Sequence, residues 1–320
     1  MADALNFCPK AIADLLNYPC PEAPGTRAGN LYVACKLREA QVFQLPDCGQ
    51  LLDRTKPRPE VPGLLLKPAF PVMALEYTAQ RAAWEQGAYT AVPCPKRIAL
   101  AWEWQDDLPD ELRAWHRSDL SPGVVVAAIF LNGNTGKWLL GSIAAHIAYD
   151  AEWQHREDQS AFRESAIESG RISRAIVKHK TIPLSMVTLS PETITLGLQH
   201  YGSAEVVIDH LQADMMDEVN AYVDLCVALA CKNVSTEIHP APERLNRQRS
   251  KAGKMPLKGF HVLKIAGGAT LPGSGLADGR EGPRSHLRRG HIRRLGPDRI
   301  TWVNSTIVGG RGHVDKVYQL

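Results

Sequence analysis

No part of this chain is apolar over the ~20 residues that a membrane-spanning helix requires. The longest apolar run, GVVVAAIFL at residues 123–131, has the length of a buried strand. The first ten residues, MADALNFCPK, place Asp3 where a secretory leader carries positive charge, and no apolar core follows. The expectation is therefore a cytoplasmic protein without a membrane partner. Paired cysteines are also missing. The seven cysteines, at 8, 20, 35, 48, 94, 226 and 231, are odd in number and contain no Cys-x-x-Cys. They are expected to be reduced thiols, several of them buried, and not a disulfide framework. Cys8, Cys20 and Cys94 each precede proline, a dipeptide common enough by chance that they are read as ordinary thiols.

A closed zinc site needs four ligands at short paired spacings, which the cysteines and histidines do not supply, so neither metal nor cofactor is expected. Gly-x-Ser-x-Gly, His-Glu-x-x-His, Gly-x-Gly-x-x-Gly after a strand, and a paired-carboxylate nuclease signature are all missing. GNTGK at residues 133–137 fails as a phosphate-binding loop. Leu131 stands where its first glycine belongs, and Trp138 where its Ser or Thr belongs. The same segment, between apolar residues 124–131 and 137–143, reads as a β-hairpin turn. The acidic cluster Asp106, Asp107, Asp110 and Glu111 is accounted for by the dipole of a short helix beginning there.

What the chain does carry is an uneven charge. Its 320 residues hold 37 Lys+Arg against 34 Asp+Glu, a net charge of +3. Residues 1–243 hold 21 basic and 30 acidic side chains, a balance of −9, whereas residues 244–320 hold 16 and 4, a balance of +12. An acidic body with a basic C-terminal region points to a polyanion partner.

The patterning predicts an α+β fold with mixed or antiparallel sheets. Residues 1–70, interrupted by nine prolines, are read as an irregular β-rich front with short strands at 30–37 and 40–45. Residues 72–86 are read as strand then helix, 97–104 as a strand, 106–116 as a short helix, 161–177 as a helix and 185–197 as strand, turn, strand. Residues 205–232 step Val207, Leu211, Met215, Val219, Tyr222, Cys226 and Leu229 by three or four, the signature of one long amphipathic helix. Strands at 233–239 and 260–265 flank a polar stretch holding Arg244, Arg247, Arg249, Lys251 and Lys254. The Gly-rich residues 266–283 read as an exposed loop. A basic hairpin of 284–295 and 299–303 follows, with a last short strand at 314–318. Two regions are expected, an acidic 1–200 and a basic 201–320, within one domain or two.

Residues 280–299 contain seven arginines and no lysine. Arginine's planar fork suits bidentate phosphate contact and stacking on bases, whereas a solvated face mixes lysine with acids. Arg284, Arg288, Arg289, Arg293, Arg294 and His313 are thus candidate nucleic-acid contacts, with Trp302 as a stacking platform. His286 and His291, with Arg289 as charge stabiliser, are candidates for metal-independent RNA cleavage, one imidazole taking the 2′-hydroxyl proton and the other protonating the leaving oxygen. Five residues apart, they share a strand face only if a β-bulge falls at Gly290. A bland reading has the arginines neutralising Asp209, Asp214, Asp217, Glu218 and Asp224 of the long helix.

Leu229-Ala-Cys-Lys-Asn-Val234, Pro240-Ala-Pro-Glu-Arg-Leu-Asn246 with Arg249, Gly253 and Lys254, Phe260-His-Val-Leu263, and Arg284-x-His286-x-x-Arg289-Gly290-His291-x-Arg293 with Trp302-Val303 resemble a family of uncharacterised phage and prophage proteins. The resemblance covers about the last 100 residues. It implies a phage or integrated-element origin and a bacterial host cytoplasm, and it carries no activity with it. In that setting a host protein is an alternative partner, the chain then serving host takeover or defence evasion.

Overall fold

A computed structural model of the chain describes residues 5–52, 60–79, 93–115, 120–155, 180–265, 286–288, 291–296, 299–303 and 306–308. Of the strand then helix expected over 72–86, residues 80–86 lie outside these, as do the helix expected at 161–177, the Gly-rich loop and the last strand.

The fold is α+β, built on one eight-stranded mixed sheet. Its strands are β1 (Gln41–Gln44), β2 (Val72–Thr78), β3 (Lys96–Glu103), β4 (Gly123–Asn132), β5 (Lys137–Ala148), β8 (Ser185–Thr188), β9 (Val234–His239) and β10 (Phe260–Ile265), in the order β8-β5-β4-β3-β2-β1-β10-β9. β1 is parallel to both β2 and β10, and the remaining pairs are antiparallel. A further small pair, β6 (Gln154–His155) and β7 (Lys180–Thr181), lies outside this sheet. Because β10 sits beside β1, the sheet runs across the expected division near residue 200.

Both faces are buried, which is why 123–131 reads as a continuous apolar run and not an alternating one. Met73, Leu75, Tyr77, Val124, Val126 and Ile147 join one core, and Ala74, Ile98, Leu100, Val125, Ala127 and Ile129 join the other. The first core is covered by the long helix α5 (Ala204–Leu229), through Met215, Val219, Tyr222 and Cys226. The second is covered by α1 (Cys8–Leu16) and α2 (Pro24–Glu39), with α3 (Asp110–Arg113) at its margin. Buried Glu218 of α5 ties the first layer to the sheet: Arg97 forks onto it, with Nη2–Oε2 at 3.0 Å, and Tyr77 Oη donates to it at 2.9 Å. The β4–β5 turn closes as a hairpin, with Asn132 Oδ1 accepting from the amides of Asn134 and Thr135 and Gly136 at φ +64.

Two expectations are corrected. Residues 8–39 are helical for most of their length, and the strand expected at 30–37 lies inside α2. Pro9 and Pro24 sit in first turns, where the missing N–H costs nothing. Neither helix has a local side-chain cap. Glu76 of β2 accepts from the amides of Phe7 and Cys8 at 2.8 Å, and Glu192 accepts from those of Gly25 and Thr26 at 2.8 Å. At the other end of α2, Lys258 Nζ donates to the carbonyls of Leu37, Arg38 and Ala40 at 2.7–3.0 Å. Gly29 lets α2 approach closely, since a Cβ there would stand 1.9 Å from the Leu189 carbonyl oxygen. The second correction concerns 185–197, where only 185–188 is strand. Pro191 opens α4 (Pro191–Tyr201), closed by Gly202 at φ +68.

Candidate nucleic-acid interface

The basic C-terminal region forms a ribbon. β12 (His291–Gly296) pairs antiparallel with β13 (Arg299–Val303), and β11 (His286–Arg288) pairs with β14 (Thr306–Val308). Arg288 lies opposite Thr306 and His291 opposite Val303, so each strand advances three residues between the two ladders. The register is therefore the same in both, and its one shift falls between Arg294 and Gly296. Positions 293 and 294 of β12 therefore have opposite parity, while Gly290, where a bulge would decide the relation of 286 to 291, lies outside the described residues.

One side of the ribbon carries Ile292, Ile300 and Trp302, with Arg294, opposite Ile300, at its outer end. Trp302, 8% exposed, belongs to the core that α5 covers, with Ile292 and Ile300 packed against that core. This corrects the reading of Trp302 as a stacking platform: its ring is consumed as an anchor. Asn233, just before β9, fixes the backbone there. Its Oδ1 accepts from Trp302 N and Thr301 Oγ1 at 2.8 and 3.0 Å, and its Nδ2 donates to Trp302 O at 2.8 Å.

Arg293, Arg294 and Arg299 remain exposed. Arg294 Nη2 reaches the Glu60 carbonyl at 3.4 Å, and among the described residues none of the three arginines meets a carboxylate. Two of the α5 acids that were candidate partners are engaged elsewhere. Glu218 holds Arg97, and Asp217 stands 3.6 Å from Arg97 Nη1. His286, Arg288 and His291 lie on described strands. Arg284, Arg289 and His313 fall outside the described residues.

A second basic element went unread in the sequence. Within the polar stretch after β9, α6 (Glu243–Lys251) carries exposed Arg244, Arg247 and Lys251, with exposed Lys254 just beyond its end. Its signals were legible: Pro242 before the first turn, Gly253 after the last, and cations at i, i+3 and i+7. Asn246 clamps Leu257, donating to its O at 2.9 Å and accepting from its N at 2.7 Å, while Arg249 Nε donates to Met255 O at 2.7 Å. Gly253, φ +65, completes a Schellman turn in which Lys254 N bonds Arg249 O at 2.9 Å and Gly253 N bonds Ser250 O at 3.1 Å. Asn246, Arg249 and Gly253 thus have structural tasks.

Two of the buried thiols are held protonated. Burial pushes Cys226 up to about 12, and burial with the neighbouring Glu76 carboxyl raises Cys8. Among the described residues no three His, Cys, Asp or Glu side chains converge as metal ligands, and no helix is long and apolar enough to cross a membrane. No protein-family model matches the chain, and neither the curated proteins nor the solved structures give a match.

Proposed function

We propose that this is a phage-type protein of the bacterial host cytoplasm that binds nucleic acid through its C-terminal ribbon. Arg284, Arg288, Arg289, Arg293, Arg294 and His313 contact the nucleic acid, and Trp302 pins the ribbon to the body. The observation that carries this reading is the division of labour in the hairpin. Ile292, Ile300 and Trp302 occupy the core, while Arg293, Arg294 and Arg299 stand in solvent without a carboxylate partner among the described residues. Exposed guanidinium groups on an anchored ribbon have lost little hydration and keep their forks available for phosphate.

For five to seven phosphate contacts, affinity falls by about two to four orders of magnitude between about 50 and 200 mM salt. Titration of labelled single-stranded RNA, single-stranded DNA and duplex DNA across that range tests the proposal. Absence of binding at low salt, or binding that ignores salt, rejects it. A pull-down from bacterial lysate with nuclease treatment separates the host-protein alternative: a partner retained after nuclease, by a chain that binds no oligonucleotide, favours that alternative. Metal-independent RNA cleavage needs positions 286 and 291 on one face. That turns on the backbone at Gly290, which lies outside the described residues, and the cleavage reading is not carried further.

A further inference from the structure

We infer that α6 is a second phosphate-contacting element, and that the nucleic acid bound by the ribbon runs along the exposed edge strand β9 to reach it. This inference rests on the nucleic-acid reading of the ribbon. α6 buries none of its nine residues, so apolar burial does not account for its being a helix, and helices of this length are marginal alone. It is instead held by polar clamps from behind: the Asn246–Leu257 pair, the Arg249–Met255 bond, the Schellman turn, and Lys258 anchored on the end of α2. At 3.6 residues per turn, Asn246 and Arg249 lie on the side turned to those clamps, and Arg244, Arg247 and Lys251 lie within an arc of about 60° on the other. The result is a rigid basic stripe facing solvent, extended by Lys254.

The helix dipole accounts for Lys251 in the last turn but disfavours Arg244, second in the helix. Arg247 is 78% exposed, and its ion pair with Glu243 at 3.4 Å is equally open to water, so phosphate can replace that carboxylate at little cost. β9 connects the two basic elements. The ribbon is pinned at Lys232 and Asn233 immediately before β9, and α6 starts four residues after it. Six strand residues separate the contacts by roughly 20 Å, about six nucleotide steps at ~3.4 Å each. Between them β9 is, among the described residues, an open edge whose Glu237 is matched by Lys264 at 3.3 Å.

The test uses the full chain with oligonucleotides of four and of sixteen nucleotides, in single-stranded and duplex form, and three proteins: wild type, R244A/R247A/K251A/K254A, and R293A/R294A/R299A. All seven side chains are exposed, and unchanged melting midpoints verify folding. The α6 variant is expected to lose about tenfold or more in affinity for the sixteen-mer but little for the four-mer, which cannot span both elements. Its log K against log salt slope becomes shallower by about 3, near 0.7 for each phosphate no longer neutralised on a single strand and 0.9 on a duplex. A variant that binds the sixteen-mer like wild type with an unchanged slope overturns the inference and leaves the ribbon reading intact. If the α6 variant is weakened and the ribbon variant is not, the ribbon reading fails, and the joint track along β9 fails with it. Wild type that binds no oligonucleotide, with α6 variants losing only a protein partner, overturns both.

Discussion

Asn233 holds the main chain of Trp302 from both sides, accepting from its N–H and donating to its carbonyl, each at 2.8 Å. One amide side chain thereby supplies both hydrogen bonds that a neighbouring strand would otherwise provide, at the point where the ribbon's tryptophan enters the core.

Replacing Asn233 by Ala removes these bonds without touching a cation. The expected cost is about 1–3 kcal/mol in global stability, accompanied by faster amide exchange in β12 and β13. Nucleic-acid affinity should fall because the arginines lose their support. Undiminished protection of the hairpin amides in the variant would show that docking does not depend on this residue.

A buried ion pair makes a different prediction. Arg97, held charged by the Glu218 carboxylate, sits with it beneath α5. Arg97→Met leaves that carboxylate buried without its cation and should cost about 3–5 kcal/mol. The Arg97→Met/Glu218→Leu double variant should recover part of the loss. A single variant as stable as wild type in denaturant titration would contradict the pair's role.

His261 sets a pH dependence. Its ring stacks on Phe43 at 4.8 Å and 17°, 5.3 Å from Phe70, and burial lowers its pKa below 6.5. The unfolded chain then binds the proton first as pH falls. Stability from this residue is complete above about pH 6.5 and declines as pH drops from there toward the lower folded value. Glu76, raised by burial, works in the opposite direction above pH 4.5, so the comparison must be between variants. Melting midpoints of wild type and His261→Phe should converge at pH 8 and separate at pH 5.5, wild type losing more. Parallel curves would refute the assignment.

The sequence was legible where local chemistry decides the outcome. The step of three and four in α5, the β4–β5 hairpin and the basic hairpin all follow from neighbours within a few residues. It was misleading where partners lie far along the chain. α1 and α2 have no caps of their own, and Glu76, Glu192 and Lys258 serve them from 68, 166 and about 220 residues away. Without those partners visible, prolines at first-turn positions read as strand breakers. For the site, the arginine-rich run stood out by composition. That Trp302 points into the core depends on Asn233, 69 residues earlier, and on α5, neither adjacent in sequence.

The remote caps can be tested in isolation. Glu192→Ala removes acceptors for Gly25 N, Thr26 N and Thr26 Oγ1 together. It should cost about 1–2 kcal/mol, with exchange of the first-turn amides of α2 accelerated ahead of the rest of the helix. Uniform exchange across α2 would argue against a capping role.

The central claim is that exposed arginines of the ribbon contact phosphate, and the salt dependence of binding reads this most directly. Association constants for a sixteen-nucleotide strand should be measured between about 50 and 200 mM salt for wild type and for R293A/R294A. The expected result is a log–log slope shallower by about 1.4–1.8 in the variant, as two phosphates keep their counterions, with an unchanged melting midpoint. An identical slope in a folded variant would contradict the account.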